Sequence, residues 1–257
     1  MLCDYQNTTF EVKDARPEIA VLPIAATEQH GSHLPVGTMS VVLEAIARRV
    51  AEGLSGNVYL LPTMPLGTSG LHRGTAGTIA LEWSTLMDVV CDLIESLLAQ
   101  GIRKVVVIDG LGGASETTVR PRENYIVKTA VRQMNYDHPE LDAIWVQPFT
   151  VSGADIAEIF QSAETDFHAG EVVTSVMLCL APEAVKGSGQ DFVPQVGKEY
   201  LDFVRFRELC PSGVWGRPTL ASAEKGERAL EAAVRRTVEY IEESFAHLAR
   251  MKSRVYD

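Results

Sequence analysis

Short apolar segments alternate along this chain with longer segments in which apolar residues recur at helical spacing. Such alternation predicts an α/β fold, with a mostly parallel sheet core and helices on both faces. The predicted strands are residues 18–25, 57–62, 104–110 and 141–147. The predicted helices are residues 40–54, about 115–135, 82–101 and 221–251. In such sheets, ligands bind beyond the carboxyl ends of the strands.

The length of the chain suits one large α/β domain. Its 257 residues are 46% hydrophobic and 22% charged, which is ordinary for a globular protein with a sizeable core. The sequence has no internal repeat, no low-complexity tract and no Ser/Gly-rich linker. We therefore predict a single domain over residues 1–257.

The charge balance excludes one class of partner. A net charge of −11 would repel a phosphate backbone, so we expect no nucleic-acid partner. The N-terminal segment has neither a basic region nor an apolar stretch after it, and no apolar run approaches a membrane span. We therefore expect a cytoplasmic protein that has no membrane partner.

The segment TEQHGSHLPVGTM, residues 27–39, follows the first predicted strand. Glu28 and His30 are two positions apart, so in an extended segment their carboxylate and imidazole would face the same site. His33 adds a second imidazole, and the glycines and proline suit tight turns. A polar surface loop is the alternative, but loops rarely collect these side chains so densely, and a functional site is favoured.

The glycine-rich segment IDGLGGASE, residues 108–116, follows the third predicted strand. Glycines at such a position can hold a phosphate at a helix N-terminus. The spacing is not that of a dinucleotide fingerprint, however, and no phosphate-binding lysine follows. Taken alone, the segment indicates a tight strand-to-helix turn, with Asp109 as its polar side chain.

The segment DFHAGEVVTS, residues 166–175, precedes an apolar helical run. His168 and Glu171 are three positions apart, so at the start of a helix they would share a face. A carboxylate at a helix N-terminus is also a common cap, which gives Glu171 a structural alternative. His168 has less of a structural alternative than Glu171.

Two further segments are weaker candidates. GLHRGTAGT, residues 70–78, places His72 among glycines and threonines that suit a loop around a site, although a structural histidine is about equally consistent. CPSGVWGRPTLASAEKG, residues 210–226, holds Trp215 between glycines and indicates the edge of a site or a subunit contact.

These segments, in this order and spacing, resemble the creatininase (creatinine amidohydrolase) family over roughly residues 17–245. The matching stretches are LPIAATEQHGSHLPVGT, GTSGLHRGTAGTIAL, IDGLGGASE, DFHAGEVVTS and PSGVWGRPTLASAEKGE. The resemblance implies a single α/β domain that assembles as a homohexamer. It also implies hydrolysis of C–N bonds in cyclic or linear amides with two divalent metals, commonly zinc, manganese or iron.

The resemblance carries over only in part. It implies that Glu28 and His30 are metal ligands, that Glu171 is a ligand glutamate and that His168 is a catalytic histidine. Met39 stands where the family has an aspartate that bridges the two metals. Leu111 stands where the family has a ligand histidine.

These replacements remove ligands from both implied metals. One metal keeps Glu28 alone, whereas the other keeps His30 and Glu171. A thioether and an isobutyl group donate nothing to a hard or borderline ion, and a catalytic zinc normally has three protein ligands. The cofactor is therefore expected to be one divalent ion (zinc, manganese or iron) or none.

Three functions remain open. The first is a one-metal enzyme in which His30, Glu171 and either Glu28 or His168 hold the ion. The second is a metal-free enzyme in which Glu28 and His168 do acid–base work, with Asp109 as a third candidate. The third is a silent homologue that binds a small ligand or pairs with an active paralogue.

The expected function is C–N bond hydrolysis of a small cyclic or linear amide at a reduced, at most mononuclear, metal site. Glu28 and His168 are the expected catalytic residues. The side chains expected to line the substrate site are His72, Asp109, Phe167 and Trp215.

Overall fold

The computed structural model of the protein describes residues 1–110 and 125–255, with the side chains of 253–255 excepted. Its centre is a five-stranded sheet with the strand order β1-β3-β2-β4-β5. Every neighbouring pair of these strands is parallel. The strands are β1 (Leu2–Asp4), β2 (Ile19–Ile24), β3 (Val58–Leu60), β4 (Lys104–Asp109) and β5 (Asp142–Val146).

Helices precede, connect and follow the strands. Those on the N-terminal side of β5 are α1 (Thr9–Ala15), α2 (Thr38–Gly53), α3 (Trp83–Ala99) and α4 (Tyr125–Asp137). Those that follow β5 are α5 (Pro148–Val151), α6 (Gly153–Ile159), α7 (Glu171–Leu180), α8 (Phe206–Leu209) and α9 (Ala223–Val255). Single 3-10 turns, such as Gly70–His72, lie in the loops between them.

The predicted α/β fold is confirmed. The four predicted strands correspond to β2, β3, β4 and β5, and three predicted helices correspond to α2, α3 and α9. The fourth, about 115–135, corresponds to α4 from residue 125 onward, and its earlier part lies outside the described residues. The edge strand β1 was not predicted, because three residues are too few to show a period of two.

Side chains of the central strands alternate between two hydrophobic cores. On β4, Val106 and Ile108 face the core that contains α2, α7 and α9. Val105 and Val107 face the other core, which contains α3 and α4. Burial of both faces explains why these strands read as continuous apolar runs.

Helices α7 and α9 approach closely at Gly226. A Cβ at this position would overlap the main-chain oxygen of Ser175. The contact fixes the start of α9 beside the start of α7, and therefore next to the DFHAGE segment.

The loops that carry the polar motifs meet beyond the carboxyl ends of the strands. Residues 25–37 follow β2, and Gly110 follows β4, where its main-chain nitrogen donates to the oxygen of Ile24. This is the edge at which parallel sheets bind ligands. Among the described residues, no helix is both long and apolar enough to cross a membrane.

Candidate active site

The loop after β2 holds Glu28 and His30 in place through its main chain. The nitrogen of Glu28 donates to the oxygen of Val36, 3.0 Å away. Gly31 turns the chain with a φ of +68°, and a Cβ there would lie 2.8 Å from Val214 Cγ2. A larger residue would be strained and crowded at this position, so the glycine of the motif is required by geometry.

His168 lies on an extended segment that pairs with the loop around Trp215. Its main-chain nitrogen donates to the oxygen of Trp215 at 3.0 Å, and the nitrogen of Trp215 donates back at 2.9 Å. Immediately afterwards, Ala169 takes a φ of +52° and α7 begins at Glu171. The histidine therefore sits on paired backbone, which fixes its position.

His72 reaches the same place from the 3-10 turn Gly70–His72. Its ring stacks on that of His168, with centroids 4.3 Å apart and planes 29° apart. The ring of His30 lies on another side of His168, with centroids 4.5 Å apart. Three imidazoles from three separate loops thus meet around His168.

A carboxylate completes this cluster. One ligand atom from each of Glu28, His72 and His168 lies within 4.8 Å of the other two. Glu28 Oε1 is 4.0 Å from His168 Nδ1, which is too long for a hydrogen bond. Two ligands that each lie about 2.0–2.1 Å from one ion are at most roughly 4.2 Å apart, so this pair is within reach of one cation but wider than the roughly 3.4 Å of a tetrahedral site.

Burial keeps His30 and His168 uncharged. It lowers the pKa of His30 to about 4. Burial first, and then the neighbouring histidines His72 and His30, lower the pKa of His168 well below its ordinary value. Neutral imidazoles have the lone pairs that metal binding and proton acceptance both require.

Glu171 lies apart from this cluster. Its side chain is fully buried, and Oε1 accepts a hydrogen bond from Lys225 Nζ at 2.6 Å. Oε2 accepts from the main-chain nitrogen and the hydroxyl of Ser162 at 2.9 and 2.6 Å. An ammonium group so close would repel a divalent cation. The ligand role of Glu171 therefore stays a prediction, one for which these contacts give no support.

Met39 packs in the hydrophobic core. Its side chain belongs to the apolar cluster of α2, and its Cε lies 3.3 Å from the position that a Cβ of Gly110 would take. Its thioether donates nothing to a hard or borderline ion, so within residues 1–110 and 125–255 this position supplies no bridging ligand to a second metal. Leu111, the other replaced position, lies outside the described residues.

Asp109 ends strand β4 and is 1% exposed. Its Oδ2 accepts a hydrogen bond from Trp145 Nε1 at 2.9 Å. It lies on the face that α3 and α4 cover, and its substrate-lining role stays a prediction.

An aromatic cluster packs against His72 and His168. Phe206 contacts His72 and His168, with centroids 4.7 and 5.0 Å away. Trp215 is 3% exposed and packs edge-on against Phe167 at 5.5 Å. Trp215 is thus chiefly a packing residue, whereas Phe167 is partly buried and carries Lys198 Nζ 5.0 Å above its ring. Their substrate-lining roles also stay predictions.

A cavity of about 1340 Å³ lies beside the loop that carries His72. Gly70, Leu71 and Arg73 line it on the side of that loop, and Trp83 and Phe203 line it elsewhere. Trp83 and Phe203 are 68% and 80% exposed. The cavity therefore borders the His72 loop, and its lining does not include Glu28 or the three histidines of the cluster.

The chain is similar to known proteins over most of its length. A family model described as creatinine amidohydrolase matches residues 4–241. The chain belongs to the creatininase family. A mycofactocin precursor peptide peptidase of Mycobacterium ulcerans is 31% identical over 235 residues, which are 86% of this chain and 83% of the relative.

Other members of the creatininase family match over similar lengths. Creatinine amidohydrolase of Pseudomonas putida is 29% identical over 240 residues, 88% of this chain and 90% of that protein. The solved structure of a mutant creatininase, described as its Zn–Zn type, superposes with a TM-score of 0.74 at 25% identity. The superposition covers 94% of this chain and 98% of the creatininase chain. These relatives are amidohydrolases and peptidases, and zinc is bound in at least one family structure.

Sequence reasoning brought Glu28, His30 and His168 to one site, as the structure does. It placed His72 only at the substrate edge, whereas the structure stacks this ring on His168. It did not single out Gln29, which contacts both of these histidines. The only signal for Gln29 was its position between Glu28 and His30 in the first motif.

Proposed function

We propose that this creatininase-family protein hydrolyses a C–N bond in an amide, at a site that binds no more than one divalent metal ion. The observation that carries the proposal is the 4.0 Å separation between Glu28 Oε1 and His168 Nδ1 within the histidine cluster. A carboxylate and a neutral imidazole at this distance suit either one shared cation or one shared water molecule.

The candidate ligands come from Glu28, His72 and His168, and the His30 ring lies beside His168. A divalent ion held there would supply Lewis acidity towards the amide carbonyl and the attacking water. The neutral His168 presents its Nδ1 lone pair towards Glu28, and this atom would either bind the ion or, where no ion is bound, accept a proton. The surrounding aromatic cluster excludes water from the far side of the histidines.

The size of the cavity favours a second substrate class. Pockets for drug-sized ligands occupy about 300–1,000 Å³, so 1340 Å³ exceeds what a small cyclic amide needs. Exposed Trp83 and Phe203 offer apolar contacts to a longer substrate. A short peptide is therefore the second candidate beside a small cyclic or linear amide, and a peptide peptidase is among the relatives.

A direct test is a screen for amine release from a panel of amides. The panel would contain creatinine, other small lactams, simple linear amides and short peptides, each with zinc, manganese or iron supplied. Activity is expected for wild type and is expected to fall at least about 100-fold in Glu28→Gln, because the variant loses the carboxylate charge.

His138→Asn is the matched control, since His138 lies far along the chain on an exposed contact with Glu95. If no member of the panel is cleaved, or if His138→Asn is as inactive as Glu28→Gln, the proposal is overturned. The silent homologue would then be the better account, and Met39 in the apolar core is the observation that favours it.

The assembly and location of the protein belong to the same proposal. The family resemblance implies a homohexamer, and the acidic sequence is compatible with a cytoplasmic location. Light scattering coupled to size-exclusion chromatography measures the mass of the assembly. A mass of about six chains of 28.1 kDa is expected.

A further inference from the structure

Gln29 stands between two of the site histidines. It is 7% exposed and takes part in hydrogen bonds at both ends. Its main-chain oxygen accepts from His168 Nε2 at 2.6 Å. Its side-chain Nε2 lies 3.1 Å from His72 Nδ1, and its Oε1 accepts from the main-chain nitrogen of Gly31 at 2.9 Å.

The orientation of the Gln29 amide is determined by Gly31. A main-chain N–H group only donates, so the side-chain atom that faces it must be the oxygen. The amide NH₂ group must then face His72. Gly213 packs so closely that a Cβ there would overlap Oε1, which holds the amide in place.

This orientation determines the tautomer of His72. Nδ1 accepts a hydrogen bond from the Gln29 amide, so it carries no proton. The neutral ring therefore carries its proton on Nε2. One nitrogen of His72 has its lone pair engaged and the other is protonated, so neither offers a lone pair to a cation.

The other two histidines have the opposite arrangement. His30 Nδ1 donates to the main-chain oxygen of Glu28 at 3.0 Å, which leaves the lone pair on Nε2. His168 Nε2 donates to the main-chain oxygen of Gln29, which leaves the lone pair on Nδ1, the atom that faces Glu28. A ring nitrogen that donates to a carbonyl while the other bears a lone pair is the usual arrangement of metal-ligating histidines.

We infer that Gln29 is a positioning residue that divides the histidines into two roles. By holding His72 as the Nε2–H tautomer, it keeps His72 out of the ligand set and leaves it as a hydrogen-bond donor. Glu28 and His168 then remain as the two facing ligands for a single divalent cation, with His30 beside them. This inference rests on the proposed function, since the cation is the one that the amidohydrolase would use.

The Gln29→Glu variant tests this division of roles, because it replaces the side-chain amide nitrogen by an oxygen of nearly equal size. One carboxylate oxygen would still accept from Gly31, but the other would face His72 Nδ1 as an acceptor. At a pH where the new carboxyl is ionised, Nδ1 would then have to carry a proton. A purely structural role for Gln29 predicts no such change of tautomer.

The experiment is ¹⁵N NMR of histidine-labelled full-length protein, without metal and during titration with Zn²⁺. Long-range ¹H–¹⁵N correlations distinguish protonated from unprotonated ring nitrogens. Each ring is assigned by the loss of its signals in His30→Gln, His72→Gln or His168→Gln. Gln6→Glu, at an exposed position far from the site, is the matched control.

In wild type we expect an unprotonated Nδ1 and a protonated Nε2 for His72. Zn²⁺ should shift the unprotonated Nδ1 of His168, but not that of His72. In Gln29→Glu, His72 Nδ1 should be protonated, whereas Gln6→Glu should match wild type.

A wild-type His72 with a protonated Nδ1, or one that Zn²⁺ shifts together with His168, would overturn the inference while leaving the proposed hydrolase intact. An unchanged His72 tautomer in Gln29→Glu would overturn it as well. Failure of the proposed function gives a different result, since Zn²⁺ would then shift none of the three rings and the amide panel would show no cleavage.

Discussion

Lys225 Nζ lies 2.6 Å from Glu171 Oε1, and the Glu171 side chain has no exposed surface. This ion pair joins the first turn of α9 to the first residue of α7, directly after the segment that carries His168. The glutamate of the HAGE motif is thus part of a buried clamp, with Ser162 as its third member.

Lys225→Met should destabilise the protein by about 3 kcal/mol, because it leaves the Glu171 carboxylate buried without its cation. This value is at the lower end of the loss of stability usual for a broken buried ion pair, since the Lys225 side chain is 20% exposed. Urea denaturation measures the change. Arg73→Met is the control, because its pair with Glu82 is half exposed and should contribute at most about 1 kcal/mol. Equal losses in the two variants would contradict the clamp.

Met39→Asp should lower the melting temperature in metal-free buffer, because it places a carboxylate in the apolar core beside Leu43. Met39→Leu nearly conserves volume and should cost less than about 1.5 kcal/mol. Calorimetry with and without Zn²⁺ compares them. Added Zn²⁺ should recover part of the loss in a Met39→Asp, Leu111→His double variant. A Met39→Asp protein as stable as Met39→Leu would show that Met39 is not packed as described.

His168→Gln should weaken Zn²⁺ binding by more than about 100-fold, which exceeds the loss expected from removing a hydrogen-bond partner of a ligand. The physical reason is that Nδ1 of His168 faces Glu28 across the candidate cation position. Competition with a fluorescent chelator measures the affinity. His138→Gln should bind as wild type does, and an equal loss in both variants would argue against a ligand role for His168.

Trp83→Ala should raise the KM for peptide amides by roughly 10-fold and leave the KM for small lactams unchanged, because only the longer substrate would bury this side chain. Steady-state kinetics on both substrate classes gives the comparison. Phe10→Ala removes an aromatic side chain that is similarly exposed at 76% but does not line the cavity, and should change neither value. An equal change in KM for both substrate classes would show that the cavity does not bind the longer substrate.

The acid stability of the sheet edge should depend on Asp4. The hydrogen bond from the Gln6 main chain and the contact with Arg48 lower the pKa of Asp4. A carboxyl whose folded pKa is depressed stabilises the fold above its unfolded pKa of about 3.9 and loses that effect as the pH falls through the folded value. Asp4→Asn should therefore show a shallower loss of stability, by at most about 1 kcal/mol, between about pH 4 and pH 2. Unchanged acid denaturation would contradict this assignment.

The sequence predicted the fold well because burial on both faces leaves a direct pattern. Val105 to Ile108 are all apolar, and each of the two cores takes alternate members. The structure places part of the expected site together: spacing grouped Glu28 with His30, and the family resemblance added His168, but neither could show that His72 stacks on His168. That contact depends on how two loops distant in sequence approach each other, and no local pattern encodes it. Lys225 as partner of Glu171 was missed for the same reason.

The most direct test of the central claim is the metal content of the chain. Wild type and Glu28→Gln would be purified without chelator, dialysed against a mixture of zinc, manganese and iron, and measured by elemental analysis. One tightly bound divalent ion per chain in wild type, and little in Glu28→Gln, is the predicted result. Two ions per chain would contradict the single site, and none would contradict the metal-dependent hydrolase.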